Sequence, residues 1–255
     1  MLADPFAALE HVRGLAPDRR AASRLLPLLD VTSLRGDETE EEVGILAEQA
    51  VRYGCAAVCV LPRWLPAARA IVAGTGVRLA TVANFPAGGD DLLAVGREVE
   101  AAIALGAEEI DVVAPLAAVR AGDVELVGEL VQLCRKVAGG KATFKVILET
   151  GWLGDPALVT AAARAAVMGG ADFLKTSTGK REPGATLEAA ALLLAVIGEA
   201  DGRVGLKIAG GLRRLADAFP YLALIERAMG PAWVTPQHVR FGASRLLDDL
   251  VAHPL

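Results

Sequence analysis

Cysteine, histidine, lysine and aromatic residues are all scarce in this chain of 255 residues, and each scarcity closes off a class of function. The three cysteines, Cys55, Cys59 and Cys134, are odd in number and form no CxxC pair. A disulfide framework and a zinc site are both disfavoured, and a reducing cytoplasm is the expected compartment. The three histidines, His11, His238 and His253, show no metal-ligand spacing, so no metal is expected. Aromatic residues make up 4% of the chain, no basic stripe interleaves with them, and the net charge is −5. Nucleic acid is therefore not expected as a partner. Long apolar runs are missing too. Stretches such as AAALLLAVIG at 189–198 fall short of a bilayer span, so no membrane association is expected. The opening MLADPFAALEHVRG carries acids early and has no apolar core, and it is not read as a secretory signal. No linker and no low-complexity segment interrupts the chain.

With 53% hydrophobic and 22% charged residues, the composition is that of a globular protein, and one domain over 1–255 is expected. Eight short β-rich runs recur: LLPLLD (25–30), CAAVCV (55–60), VRLATVA (77–83), EEIDVV (108–113), TFKVILE (143–149), ADFLK (171–175), VGLKI (204–208) and HVRFG (238–242). Their spacing of about 30 residues is that of βα units. Helical patterns lie between them, as in ETEEEVGILAEQAVRYG (38–54), DDLLAVGREVEAAIALG (90–106) and DVELVGELVQLCRKVAG (123–139). Several begin on Asp or Thr and end on Gly, as capped helices do. The near-continuous apolar strands indicate a parallel sheet covered on both faces. This pattern predicts a (β/α)8 TIM barrel, with an extra helical segment before residue 24 packed on it. A doubly wound open sheet is the alternative, weakened by the lack of GxGxxG after the first strand.

Of 26 basic residues only six are lysine: Lys136, Lys141, Lys145, Lys175, Lys180 and Lys207. Where charge alone is wanted this chain uses Arg, which cannot release its proton; Lys can. Barrel sites form at the C-terminal ends of the strands. Read in order, those ends carry Asp30, Cys59, Asn84, Asp111, Glu149 with Thr150, Lys175, Lys207 and the glycine turn at Gly242. Taken singly, Asp30 reads as a turn or cap residue, Cys59 as a small buried side chain and Asn84 as loop chemistry. Asp111, inside EIDVVAP, needs a cationic partner. Lys145 shares a strand face with Ile147 and Glu149 and lies inside the barrel if that face points inward. Lys175 and Lys207 fall on neighbouring strands, where two ammonium groups repel. One should then be a neutral amine near pH 7, suited to Schiff-base chemistry with a carbonyl substrate. A Lys–Asp–Lys ion network of purely structural value is the competing reading. Three glycine-bearing loops follow: Gly179-Lys180, Gly210-Gly211, and Gly242 to Arg245. Together they suggest a phosphate site.

FLKTSTGK, GLKIAGGLR, EIDVVAP, TVANFPAGG, LLDVTSL and RFGAS together, in the right order along the chain, resemble the deoxyribose-phosphate aldolase family from about Asp30 to Leu250. The resemblance implies a class I aldolase that cleaves 2-deoxy-D-ribose 5-phosphate to D-glyceraldehyde 3-phosphate and acetaldehyde without metal or organic cofactor. It implies Lys175 as the Schiff-base lysine, Lys207 as the lysine that lowers its pKa, and Asp111 as the acid/base carboxylate. Asp30, Thr32, Cys59 and Lys145 would line the pocket. Thr178, Gly179, Lys180, Gly210, Gly211, Gly242 and Ser244 would hold substrate and its phosphate. A homodimer is entertained as the assembly. APLAA after EIDVV and REPGAT after STGK depart from the family, and Arg245 stands where some members have a second serine. Other Schiff-base aldolases, a metal-dependent aldolase or barrel isomerase, and a non-catalytic sugar-phosphate-binding barrel are the rival functions.

Overall fold

The computed structural model describes residues 4–252, so His253 lies outside the described residues. Eight parallel strands close on themselves in chain order. They are β1 (Leu29–Ser33), β2 (Ala57–Val60), β3 (Arg78–Ala83), β4 (Glu109–Val113), β5 (Thr143–Ile147), β6 (Phe173–Lys175), β7 (Gly205–Ala209) and β8 (Val239–Ala243). β8 returns to β1 by pairing Phe241 with Leu29 and Gly242 with Asp30, which leaves no open edge and excludes the doubly wound sheet.

The helices form where caps and amphipathic spacing dictate. Glu40–Arg52 starts on a capping box, in which the Thr39 hydroxyl accepts from the Glu42 N–H and the Glu42 carboxylate accepts from the Thr39 N–H. Leu92–Ala104 is capped by the Asp91 side chain, and Glu125–Ala138 ends on Gly139 in the left-handed region at φ 56°. The expected N-terminal helix is Pro5–Val12, capped by Asp4 and packed on the outer helices Leu187–Glu199 and Leu215–Met229.

One boundary differs in a way that matters. LLPLLD was expected to be the first strand, ending at Asp30. Instead Ala21–Leu25 is helical, Leu26–Leu28 is a 3-10 turn around Pro27, and the strand runs from Leu29 to Ser33. Pro27 has no N–H to give a central strand, so pairing begins beyond it. Asp30 is consequently the second residue of a buried strand and neither a turn nor a cap.

The barrel interior is divided. β2 and β3 contribute Ala57, Cys59, Ala80 and Val82, which form a small apolar cluster with Leu34. The remaining strands place ionic side chains inside, and small residues make room for them. A Cβ on Gly242 would lie 2.9 Å from the Lys207 Cε, so a glycine in β8 admits the lysine chain of β7. Gly242 was expected in a turn after the strand; it lies within the strand because it serves the interior. Gly205 lets the Phe173 ring lie across β7, since a Cβ there would come within 2.4 Å of the ring and 2.8 Å of the His238 carbonyl. Gly205→Ala should therefore destabilise the fold by about 1–3 kcal/mol, read as a lower urea midpoint with unchanged slope.

Candidate active site

Strand register brings the ionic residues together. Asp111 pairs with Lys145, and Lys175 with Lys207; Lys207 in turn pairs with Arg240. Alternation of side chains then points them into the barrel. Asp111 sits at the centre. Its Oδ2 accepts from Lys175 Nζ and from Lys207 Nζ, both at 2.7 Å, and its Oδ1 accepts from Lys145 Nζ at 3.0 Å. The two ammonium positions of Lys175 and Lys207 are thus no further apart than two hydrogen-bond lengths.

The three lysines differ in how many carboxylates they meet. Lys145 has Glu109 at 2.6 Å, Asp111 at 3.0 Å and Asp30 at 3.8 Å. Lys207 has Asp30 at 2.5 Å and Asp111 at 2.7 Å. Lys175 has Asp111 at 2.7 Å as its one carboxylate partner among the described residues. Burial works against all three ammonium groups. For Lys207 and Lys145 the surrounding carboxylates outweigh it and raise both above the ordinary lysine value. For Lys175 burial wins. It is the larger cause of the lowering, Asp111 opposes it, and the charge of Lys207 adds to it. The neighbouring ammonium contributes as expected, and the dry environment contributes more.

The carboxylates mirror this. Burial alone would raise Asp111, yet Lys145, Lys175 and Lys207 hold it well below the usual range. Lys207, Arg240 and Lys145 do the same for Asp30, and Lys145 and Arg240 for Glu109. Asp30, Glu109 and Asp111 face Lys145, Lys175, Lys207 and Arg240, which is three acids against four bases. The buried set is neutral when Lys175 alone has lost its proton.

Lys175 is also the lysine that meets the open end. A cavity of about 310 Å³ at the C-terminal ends of the strands is lined by Thr32, Lys175, Thr178, Gly179, Lys180, Gly210, Gly211, Gly242 and Ser244, all expected at the site. Asp30, Cys59, Asp111, Lys145 and Lys207 do not line it. They lie fully buried beneath, where Asp30, Lys145, Asp111 and Lys207 bind one another and burial pushes the Cys59 thiol up to about 11. Asn84, at the end of β3, is loop chemistry as expected. It has φ 55°, and its side chain bonds the Gly89 backbone and the Val113 carbonyl.

The Thr-Ser-Thr run after Lys175 anchors the loop that follows. Thr176 donates its hydroxyl to the Ala209 carbonyl and accepts the Ala209 N–H, both at 3.0 Å, which ties β6 to β7. The Thr178 hydroxyl donates to Glu149, which also accepts the Thr178 N–H at 3.1 Å. Glu149 itself is held in the left-handed region at φ 50°. Gly210 adopts φ 94°, and Gly184 lies so close to it that a Cβ on Gly184 would sit 2.7 Å from the Gly210 carbonyl carbon. Around the cavity the side chains of Lys180, Arg213 and Arg245 have no acidic partner among the described residues, and Glu182 is the one acidic lining residue. Such a rim attracts a multiply charged anion.

Residues 25–247 match the sequence model described as DeoC/LacD family aldolase.

The chain belongs to the DeoC/LacD aldolase family.

Its barrel resembles that of a protein from Toxoplasma gondii ME49 provisionally named deoxyribose-phosphate aldolase, at 28% identity and a TM-score of 0.84, covering 92% of this chain and 96% of that one. A Coccidioides immitis protein with the same provisional name matches at 25% identity and a TM-score of 0.79, over 96% and 95% of the two chains. A tetrameric deoxyribose phosphate aldolase from Aeropyrum pernix matches at 26% identity and a TM-score of 0.74, over 98% and 96%. In this DeoC/LacD chain, sequence reasoning overlooked Glu109 and Arg240. Arg240 bonds both Asp30 and Glu109 at 2.7 Å. The signal was present, since EEIDVV and HVRFG each carry a charged residue inside an apolar strand, as the lysine strands do. It also overlooked Gly184, which nothing in a loop of REPGAT distinguishes from an ordinary turn glycine.

The depressed carboxylates make a prediction about acid stability. Asp30 and Asp111 ordinarily titrate near 3.8 and Glu109 near 4.5, and all three are lower in the fold. Their contribution is present above those ordinary values and is lost as pH falls below them. Urea midpoints should drop steeply as pH falls below about 4.5. A midpoint that holds to pH 3 would contradict the ionic core.

Proposed function

We propose that the protein is a class I aldolase that reversibly cleaves 2-deoxy-D-ribose 5-phosphate to D-glyceraldehyde 3-phosphate and acetaldehyde through a Schiff base on Lys175. The observation that carries this reading is a buried lysine at the floor of a cationic cavity whose surroundings favour the free amine. An amine without its proton is a nucleophile; an ammonium is not.

The open-chain aldehyde enters with its phosphate toward Lys180, Arg213, Arg245 and the glycine loops. The Lys175 amine adds to C1 to give a carbinolamine, and loss of water leaves an iminium. That cation draws electrons from the C2–C3 bond once the C3 hydroxyl gives up its proton. Glyceraldehyde 3-phosphate departs, the enamine is protonated at C2, and hydrolysis releases acetaldehyde and the amine. Lys207 keeps its proton in the resting site and serves as the acid. Asp111, bonded to both lysines, bridges proton transfers with the help of water, and its strongly depressed carboxyl returns a proton readily. Each positioned transfer contributes roughly 10²- to 10⁴-fold. Binding energy at the phosphate end orients the reacting end. Three cysteines that are all free and buried suit a cytoplasmic setting.

Incubation with acetaldehyde and borohydride, followed by peptide mapping, should place the reduced adduct on Lys175, and a coupled assay should show turnover of deoxyribose 5-phosphate. An adduct confined to Lys207 or Lys145 would overturn the assignment. For the rim, Lys180→Ala and Arg245→Ala should each raise KM for the phosphorylated substrate about tenfold while changing kcat less, because each removes one charge-assisted contact. Equal losses with unphosphorylated deoxyribose would refute a phosphate role.

A further inference from the structure

Glu109 and Arg240 lie at the N-terminal end of the barrel, away from the substrate cavity. Both line a second cavity of about 550 Å³ on that side. Arg240 binds Glu109 with a two-pronged contact, Nη1 to Oε2 at 3.0 Å and Nη2 to Oε1 at 2.7 Å. Nη1 also reaches Asp30 Oδ1 at 2.7 Å, and the other oxygen of Asp30 accepts from Lys207 at 2.5 Å. Lys207 leads to Asp111 and Asp111 to Lys175. Glu109 meets Lys145 at 2.6 Å, and Lys145 returns to Asp111. Two unbroken ionic paths therefore run from the far end of the barrel to the amine in the cavity.

We propose that the Glu109–Arg240 pair is a positioning device for the amine of Lys175, acting through the charge balance of the buried barrel core. The inference rests on the reading of Lys175 as the nucleophile for its catalytic meaning.

The groups that share the interior come from every side. Asp30 is on β1, the Cys59 thiol on β2, Glu109 and Asp111 on β4, Lys145 on β5, Lys175 on β6, Lys207 on β7 and Arg240 on β8, while β3 offers Ala80 and Val82. Glu149, beyond β5, is bonded to Thr178 in the loop above. Water screens charges poorly in this buried core, so a change of one charge is felt by the others. Lys175 is the member with the fewest carboxylate contacts, and it therefore takes up or releases the balancing proton. Without the Arg240 charge the core has one negative charge too many, and Lys175 retains its proton to higher pH. Without the Glu109 charge the core has one positive charge too many, and Lys175 releases its proton at lower pH. A pair that only filled space would give no such opposition of sign.

The test measures the Lys175 proton directly. Trace acetic anhydride labels free amines, and peptide mapping across pH gives the midpoint at Lys175 whether or not the protein cleaves deoxyribose phosphate. Arg240→Gln should move the midpoint up by about one pH unit, which is tenfold less free amine below it. Glu109→Gln should move it down by a similar amount. Arg240→Lys, which keeps the charge and loses the fork, should stay near wild type, and the double variant Glu109→Gln/Arg240→Gln should return toward it. Should Arg240→Gln fail to fold, the isosteric Glu109→Gln decides by the sign of its own displacement. Coincident profiles, or displacements of the same sign in both single variants, would overturn the proposal. Failure of the wild type to turn over deoxyribose phosphate, with the displacements intact, would instead count against the proposed reaction alone.

Discussion

Two lysines share one oxygen of Asp111 and a third binds the other, all buried inside the barrel. The rest of the molecule follows from that arrangement. A carboxylate with no solvent needs cations, and cations in the same place need further carboxylates. Asp30 and Glu109 answer for Lys207 and Lys145, and Arg240 answers for Asp30 and Glu109. The demand for neutrality then falls on the member with the fewest partners. Burial lowers Lys175 below the ordinary lysine value, and in the reaction proposed above the amine freed in this way is the nucleophile. Buried ion networks are a poor way to gain stability, since desolvation offsets most of the attraction. Their presence here, in place of the branched aliphatic layers that commonly fill such barrels, fits the role proposed for the Lys175 amine.

The division of the interior supports this. Ala57, Cys59, Ala80 and Val82 fill one side with small apolar groups. Gly205 and Gly242 hollow out the other side, so that Phe173 and the Lys207 chain can lie flat against the strands. Above the ionic core the loops are fixed by short-range contacts. Thr176 ties two strands together, and Thr178 is clamped by Glu149. The Gly210 turn presses on Gly184. The cavity is thus braced by hydrogen bonds at its floor and cationic at its rim, as the substrate proposed above requires.

Much of this could be read before any coordinates. Periodic apolar runs with capped helices between them spell an alternating βα chain, because strand and helix repeats are local properties of the sequence. The scarcity of lysine singled out Lys145, Lys175 and Lys207, and the cost of an unpaired carboxylate in EIDVVAP required a cation beside Asp111. Less legible was Asp30, misjudged as a turn residue because Pro27 shifts the start of β1. Gly242 read as a loop glycine because nothing local announces a lysine chain from the next strand. Glu109 and Arg240 carried the same signal as the lysines but gain their meaning from each other, 131 residues apart.

By itself the sequence determined the alternation of strands and helices, the presence of rare lysines in apolar strands, and the glycine loops that follow them. Each depends on neighbours within a few residues. Only the tertiary structure decided how many carboxylates each lysine meets. Protonation of a buried amine depends on how many carboxylates surround it, and those come from strands far apart in the chain. Barrel closure brings β1 beside β8 and sets Arg240 against Asp30, 210 residues away. It thereby leaves Lys175 with a single carboxylate partner among the described residues and an opening to the cavity at the strand ends.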